Sequence, residues 1–153
     1  MQLTLIRHAI AADGADDFAR PLTREGRARF ITTVKTLKRL RVRFGSVLHS
    51  PKLRTTQTAA LLTPVVDGEF TKSDLLMKPP TRALLQLLAH DGLAVVGHEP
   101  HLSSLLAWLV TGDAKKGARF ELKKGAVARL EGHVEPGGMQ LTALWTPKLL
   151  RLE

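Results

Sequence analysis

Short apolar runs and amphipathic stretches alternate along most of this chain, a pattern that predicts strands alternating with helices. The apolar runs at residues 2–6, 46–49 and 93–96 have the length of strands. After the first run, Thr23 is placed to cap a helix that continues to about Arg43. The apolar positions of this helix recur at helical spacing: Phe30, Val34, Leu37 and Leu40. We therefore expect it to pack on a sheet.

Proline and small polar residues mark further helix starts. Ser50 as N-cap, with Pro51 at the first helical position, predicts a helix that stops near Pro64. The remaining elements predicted before the C-terminal part are a short edge strand over 65–70, a helix over 81–90, and a helix that begins at Pro100 and continues through Leu109.

The C-terminal part has a different pattern. Residues 125–131 and 139–145 are strand-like and flank the turn-rich segment 135–138, which predicts an antiparallel hairpin. Together these patterns predict one α/β domain over residues 1–153. Its mixed, mostly parallel sheet carries helices on both faces and ends in the C-terminal antiparallel hairpin.

Composition limits the chemistry more than the fold. The chain has 153 residues, 44% of them hydrophobic, which is enough for one globular core. It has no cysteine, which excludes disulfides, a thiol nucleophile and cysteine metal sites. The first apolar run reaches Arg7 too soon for a signal peptide, and no later run is long enough to span a bilayer. We therefore expect a cytoplasmic protein with no membrane partner.

The charge balance favours anionic partners. Lysine and arginine number 23 against 14 acidic residues, a net charge of +9. This charge suits phosphorylated proteins, small phosphates or nucleic acid alike. The basic residues lack the interleaved aromatic side chains of a base-stacking surface, so nucleic acid is the least favoured of the three. They are scattered as Lys35, Lys38, Arg39, Arg41, Arg43, Lys115, Lys116, Lys123 and Lys124.

Two arginines and two histidines stand where predicted strands give way to loops or helices. Arg7 and His8 directly follow the first strand, Arg54 lies in the helix after the second, and His98 follows the run at 93–96. The carboxyl ends of parallel strands gather ligand-binding groups at one edge of a sheet. Guanidinium groups suit the geometry of phosphate. The sequence therefore predicts that the four side chains converge on one phosphate site.

Four ordered segments of this chain resemble the motifs of one family: LIRHA at 5–9, RPLTREG at 20–26, SPKLRTTQTA at 50–59 and VGHEP at 96–100. With these motifs the chain resembles the histidine phosphatase superfamily, whose fold is phosphoglycerate mutase-like. In length, and in the segment LWTP at 144–147, it most resembles the SixA-type phosphohistidine phosphatases. The family's first motif usually has glycine after the histidine, where this chain has Ala9.

The resemblance implies a covalent mechanism without a metal or other cofactor. His8 attacks phosphorus, Arg7 and Arg54 hold the phosphoryl oxygens, and His98 completes the pocket as a donor to one of them. The two arginines also keep His8 unprotonated by like-charge repulsion. Arg20 has a secondary role and either reaches the substrate or braces the loop after His8. Water then hydrolyses the phosphorylated His8 and restores the enzyme.

A metal centre is the weaker interpretation of the last motif. Of His98, Glu99 and His101, the two histidines have a spacing at which metal ligands can meet on one side of a turn. The sequence offers no clear third ligand for them. We therefore predict that the site binds no metal.

The resemblance also points to the substrate through a missing residue. Larger branches of the family carry a glutamate that protonates an alkoxide leaving group, and here the corresponding stretch offers only Glu69 and Asp74, in unconvincing positions. Phosphohistidine needs such an acid less, because its bond to imidazole is already labile. The expected partner is therefore a phosphohistidine-bearing protein, either a phosphotransfer domain or a phosphocarrier.

Two alternatives remain open at this point. One is a phosphatase of the same fold that acts on small phosphate esters, with Glu69, Asp74 or Glu99 as the acid. The other is a catalytically idle module that binds anions or nucleic acid. The two histidines argue against this alternative, because binding alone does not require them.

Overall fold

A computed structural model of this chain describes residues 1–150, which contain six strands and five α-helices. The strands are β1 (Gln2–Arg7), β2 (Ser46–His49), β3 (Phe70–Lys72), β4 (Leu93–Gly97), β5 (Val127–Gly132) and β6 (Met139–Trp145). The helices are α1 (Arg24–Arg39), α2 (Leu53–Leu61), α3 (Arg82–Leu88), α4 (His101–Thr111) and α5 (Pro147–Leu150). Short 3₁₀ helices occupy Asp17–Ala19, Thr63–Val65, Asp74–Met77 and Ala114–Phe120.

The strands form one sheet in the order β3-β2-β4-β1-β5-β6. Strand β4 pairs in parallel with both β1 and β2, and β2 pairs in parallel with β3. Strand β5 pairs antiparallel with β1 on one side and with β6 on the other. The predicted mixed, mostly parallel sheet with a C-terminal antiparallel hairpin is therefore confirmed.

Both faces of the sheet are covered by helices. Side chains of β4 alternate between two hydrophobic cores, with Leu93 and Val95 in one and Ala94 and Val96 in the other. The first core also contains the buried leucines of α3 and α4, and the second contains those apolar residues of α1 that point inward, with Leu37 among them. Burial of one such leucine stabilises the fold by about 1.5–3 kcal/mol. Every residue of β4 is buried, as expected for a strand covered on both sides.

Helix α1 ends earlier than the sequence predicts. It stops at Arg39 rather than near Arg43, and Leu40 is 53% exposed although its spacing places it on the apolar face. Arg41 has a φ of 60°, the left-handed conformation that commonly reverses a chain after a helix. The reversal buries Val42 and brings the chain back toward β2. The free energy gained by this burial outweighs the hydrogen bonds that one more turn of helix would add.

Helix α2 begins at Leu53, so the prediction of Ser50 as its N-cap and Pro51 as its first residue was wrong. Ser50 still belongs to the edge of the sheet, where its backbone N–H donates to the carbonyl of Val96 over 3.2 Å. Its carbonyl accepts a hydrogen bond from Thr55 Oγ1 at 2.8 Å, which ties the first turn of the helix back to the strand.

The predicted edge strand over 65–70 was also misplaced. Residues Thr63–Val65 form a 3₁₀ helix, and the edge strand β3 lies later, over Phe70–Lys72. Val65 is fully buried, so packing into the core decides its conformation. No helix within residues 1–150 has both the length and the apolar character needed to cross a membrane.

Candidate active site

The carboxyl ends of β1, β4 and β2 meet at one edge of the sheet, and the predicted site residues lie there. Arg7 ends β1, His98 follows β4, and Arg54 lies in the first turn of α2. The structure brings all five predicted residues to one cavity of about 460 Å³, the His8 cavity: Arg7, His8, Arg20, Arg54 and His98. Its lining is completed by Asp17, Lys52, Met77, Glu99, His101 and Lys124.

His8 is buried, and its ring is held by the adjacent backbone. The residue is 5% exposed, and its Nδ1 lies 2.6 Å from the carbonyl oxygen of Ala9. Because a carbonyl oxygen only accepts hydrogen bonds, Nδ1 carries the ring proton and Nε2 keeps a free lone pair. This is the tautomer that a nucleophile requires.

The surroundings of His8 also keep its ring uncharged. Burial is the largest cause that lowers the pKa of His8 to about 4, and the hydrogen bond to Ala9 opposes it. Nearby cations lower the pKa further: Arg54, Arg7 and Lys124. The sequence predicted that the two arginines keep the ring of His8 neutral, and burial is a larger cause than either of them. His8 is therefore neutral at pH 7.

Helix α2 supports the loop that carries His8. The backbone N–H of Ala9 donates to Thr58 Oγ1 over 3.0 Å, and the Thr58 hydroxyl donates to the carbonyl of Arg54 over 2.8 Å. Thr58 is fully buried. One hydroxyl thus connects the residue after His8 to the helix turn that carries Arg54. Thr58 was not predicted as a site residue, because no sequence pattern shows that a threonine inside a helix makes such a contact.

Both predicted arginines are fixed by backbone carbonyls. Arg7 donates from one terminal nitrogen to the carbonyl of Leu122 over 2.7 Å, and Arg54 does so to the carbonyl of Asp17 over 2.8 Å. Arg54 is 6% exposed. These bonds leave part of each guanidinium fork for a ligand.

Some buried polar atoms of the His8 cavity have no hydrogen-bond partner within residues 1–150. They are the Nε atoms of Arg7 and Arg54 and the Nε2 atom of His98. A buried polar group without a hydrogen bond costs about 1–3 kcal/mol. An anion with several oxygens, such as a phosphoryl group, would satisfy such atoms and recover that free energy.

Asp17 is a site residue that the sequence analysis missed. Its carboxylate contacts three cations: Lys52 at 2.7 Å, Arg20 at 3.1 Å and Arg54 at 3.3 Å. The hydrogen bond from Lys52 is the main reason why the pKa of Asp17 lies well below its ordinary value. Asp17 therefore stays ionised. Its only signal in the sequence is a small acidic cluster in the loop before Arg20.

Arg20 braces the loop that follows His8. Its Nε donates to the carbonyl of Ala12 over 2.7 Å, and a terminal nitrogen pairs with Asp17. The side chain also lines the His8 cavity. The bracing role predicted as one of two options is thus observed in the structure, and the position remains within reach of a ligand.

His98 lies across the cavity and is buried to the same degree as His8. Burial is the main cause that lowers its pKa to about 4, and nearby Lys52 and Arg54 contribute. The ring of His101 lies 5.9 Å from that of His98, in an edge-on arrangement. A bound dianion would oppose the effect of these cations and favour the protonated form of His98.

The three candidate acids differ in position. Glu69 and Asp74 are exposed and lie outside the His8 cavity, whereas Glu99 lines it. The Glu99 carboxylate accepts hydrogen bonds from the backbone N–H and hydroxyl of Ser103 and from the backbone N–H of Leu122. Burial raises the pKa of Glu99, and these backbone bonds oppose the rise.

Among residues 1–150, no three histidine, aspartate or glutamate side chains are grouped closely enough to hold a metal ion. That the site uses no metal stays a prediction.

Comparisons with known proteins point to the same family as the sequence motifs, although no family model matches this chain. An uncharacterised protein, SYNPCC7002_A2622 of Picosynechococcus, is 35% identical over an alignment of 167 positions that covers 98% of this chain and 99% of that protein. The phosphohistidine phosphatase SixA of Escherichia coli is 32% identical over 123 residues, which cover 74% of this chain and 76% of SixA.

Solved structures show the same fold over nearly the whole chain. A protein histidine phosphatase SixA complexed with tungstate has a TM-score of 0.80 at 27% identity, with 98% of this chain and 99% of that chain covered. A phosphoserine phosphatase of Entamoeba histolytica, in complex with 3-phosphoglyceric acid, has a TM-score of 0.74 at 16% identity, with 97% and 98% covered. The second likeness is one of fold alone.

Proposed function

Because this chain belongs to the histidine phosphatase superfamily and SixA is among its relatives, we propose that it is a phosphatase that uses His8 as nucleophile. One observation carries the proposal: a neutral, buried imidazole with a free Nε2 shares a cavity with two arginines whose Nε atoms have no partner in the described part of the chain. An imidazole nucleophile beside spare guanidinium donors is what phosphoryl transfer needs.

The reaction proceeds in two displacements. In the first, His8 Nε2 bonds to phosphorus while the bond from phosphorus to the leaving group breaks. The negative charge on the transferring oxygens is stabilised by Arg7 and Arg54, with His98 as a further donor. In the second, water attacks the phosphorylated His8, the bond from nitrogen to phosphorus breaks, and inorganic phosphate leaves. The proton released by water goes to the departing phosphate or to solvent.

The preferred substrate class is phosphohistidine on a protein partner, either a phosphotransfer domain or a phosphocarrier. Glu69 and Asp74 lie outside the cavity, and the Glu99 carboxylate is engaged as an acceptor from Ser103 and Leu122. A leaving group that needs little protonation suits such a site. The imidazole of phosphohistidine leaves as a neutral ring when its other nitrogen carries a proton. SixA, the E. coli relative, is by its name a phosphohistidine phosphatase.

The test is dephosphorylation of a phosphohistidine-bearing phosphotransfer domain by the purified protein. We expect wild-type protein to release phosphate and His8→Ala to be at least about 1,000-fold slower. His133→Ala, an exposed histidine outside the cavity, is the matched control and should retain full activity. Equal rates for wild type and His8→Ala would show the proposal to be wrong.

A brief reaction quenched in base should also trap phosphate on the enzyme. The label should be stable to base, labile to acid, and located on His8 by mass spectrometry. Label on another residue, or none during active turnover, would contradict the covalent mechanism.

The second candidate is a phosphatase for small phosphate esters, which the position of Glu99 favours. Glu99 lines the His8 cavity, and burial raises its pKa, as a proton donor requires. If Glu99 is the acid, Glu99→Gln loses ester turnover but keeps turnover of phosphohistidine. A phosphoserine phosphatase shares the fold, so a panel that includes phosphoserine is the appropriate comparison. An idle anion-binding module would show neither activity, only salt-sensitive binding.

A further inference from the structure

A second, larger cavity adjoins the His8 cavity. It has a volume of about 660 Å³ and lies between α1, the chain after β1, the turn before β5 and the start of α5. Phe30 lies in its wall, and we name it the Phe30 cavity. Arg7 and Lys124 line both cavities. Its volume falls within the range of small-molecule sites, about 300–1,000 Å³.

The lining of the Phe30 cavity combines apolar walls with exposed cations. Ile10 and Pro147, both half-buried, supply apolar surface, whereas Ala9 and Phe30 are each only 2% exposed. Lys123 and Lys148 are exposed lysines that also line it, whereas the catalytic chemistry proposed above uses neither. Such a lining matches a molecule that is apolar at one end and negatively charged at the other.

The charge of this lining is one-sided. Among the described residues that form it, Glu121 is the one carboxylate, against Arg7, Arg29, Lys123, Lys124 and Lys148. Arg29 is paired with Glu25 of the same helix, which leaves Arg7 and the lysines as the main source of positive potential. An anionic group is therefore attracted to the lysine side of the cavity.

We propose that the Phe30 cavity binds a small amphipathic anion: an apolar ring or short acyl chain that carries one carboxylate, sulfonate or phosphate group. The apolar part contacts Ile10 and Pro147, and the anionic group lies near Lys123 and Lys148. The apolar part gains free energy by leaving water, and the charge determines which apolar molecules are accepted.

Occupation of the Phe30 cavity weakens anion binding in the His8 cavity. Arg7 and Lys124 line both spaces, so two anions share the same cations and repel each other across them. The effect is reciprocal by linkage: an anion in the His8 cavity weakens the amphipathic ligand by the same factor. The second site is thus an inhibitory one.

The test uses 8-anilinonaphthalene-1-sulfonate, a fluorescent ring system with one sulfonate, titrated against the full-length protein. We expect saturable binding that decanoate displaces and 1-decanol displaces at least fivefold less well. Lys148→Glu should weaken binding of the probe about fivefold or more. Lys72→Glu, the same change on β3 at the far edge of the sheet, is the matched control and should leave binding unchanged.

A second variant tests the location of the probe. Thr33 is 2% exposed and lines the cavity, so Thr33→Met adds side-chain volume there and should also weaken binding. Circular dichroism melts check that each variant is folded. If Thr33→Met does not fold, the test rests on Lys148→Glu, which changes an exposed side chain. Absence of wild-type binding, equal binding by Lys148→Glu and wild type, or equal competition by decanol and decanoate would each overturn the proposal.

Tungstate titration tests the coupling between the cavities. Saturating decanoate should weaken tungstate binding about fivefold in wild type, and Lys148→Glu should need about fivefold more decanoate for the same effect. Unchanged tungstate affinity would show that the cavities are independent. Neither titration requires turnover, so failure of this proposal and failure of the proposed phosphatase activity are separate results.

Discussion

At the scale of single residues, the His8 cavity places two neutral imidazoles among several cations. The pKa of His8 and that of His98 are both lowered to about 4, chiefly by burial. The low pKa keeps His8 unprotonated across the whole neutral range of pH, as the proposed attack on phosphorus requires. Burial achieves this without a neighbouring general base.

The two low pKa values can be measured directly. We expect the ring proton signals of His8 and His98 to titrate near pH 4 in an NMR titration, because burial and nearby cations disfavour the charged rings. The variants His8→Asn and His98→Asn assign the two signals. A midpoint near the ordinary histidine value of about 6.5 for His8 would contradict the account of its neutrality.

Asp17 orders the cations around it but also repels a bound phosphate. Asp17→Asn should lower kcat about tenfold, because Arg54 loses one of its two contacts with residue 17. The same variant should bind inorganic phosphate two- to threefold more tightly, since a negative charge is removed from the cavity.

The matched control for Asp17 is the adjacent carboxylate. Asp16 accepts a hydrogen bond from the backbone N–H of Phe18, and Asn at position 16 can replace it in that role. Asp16→Asn should therefore leave kcat and phosphate affinity unchanged. A parallel fall of kcat in both variants would indicate a general effect on the loop.

At the scale of elements, the sequence predicted what is periodic and missed what depends on tertiary contacts. The apolar runs identified β1, β2 and β4, and the strand–helix boundaries pointed to the four residues that the structure brings to the His8 cavity: Arg7, His8, Arg54 and His98. The end of α1 was missed because burial of Val42 and Phe44 opposes helix continuation. Asp17 and Thr58 were missed because charges in loops and threonines in helices have many ordinary roles.

The contact between α2 and the His8 loop gives an element-level prediction. Thr58→Val keeps the shape of the side chain but leaves the buried N–H of Ala9 without its acceptor. We expect a loss of about 1–3 kcal/mol in the free energy of unfolding and a fall in kcat of at least about tenfold. Chemical denaturation and steady-state kinetics measure the two effects.

Thr36→Val separates the stability effect from the catalytic one. Thr36 is also a buried helix threonine, and its hydroxyl donates to the carbonyl of Leu150 over 2.5 Å, a contact that involves neither α2 nor the loop that carries His8. It should lower stability and leave kcat unchanged. Equal kcat losses in both variants would mean that α2 has no special part in supporting His8.

At the scale of the whole molecule, the site at the sheet edge makes the fold sensitive to acid. His8 and His98 are neutral when folded at pH 5 but are largely protonated in the unfolded chain, whose histidines have pKa values of about 6.5. Unfolding therefore takes up protons between about pH 6.5 and pH 4. The folded state loses stability as pH falls through that window.

Urea unfolding at pH 7, 5.5 and 4.5 checks this sign. The free energy of unfolding should fall at each step, and a His8→Gln/His98→Gln double variant should lose less over the same range because the two buried imidazoles are gone. A wild-type protein that is equally stable at pH 7 and pH 4.5 would contradict the lowered pKa values.

The His8 loop is attached to both halves of the chain. The backbone N–H of Gly125 lies 3.1 Å from the carbonyl of Arg7 and 3.0 Å from that of His8, and the N–H of Arg7 donates to Ala126 over 3.1 Å. Residues near the start of the polypeptide thus depend on residues made more than a hundred positions later. A nascent chain that ends before Gly125 can already form the contacts of the His8 loop with Gly97 and Thr58 but lacks those with Gly125 and Ala126. We therefore expect the loop to reach its full set of backbone contacts only after the turn before β5 has left the ribosome.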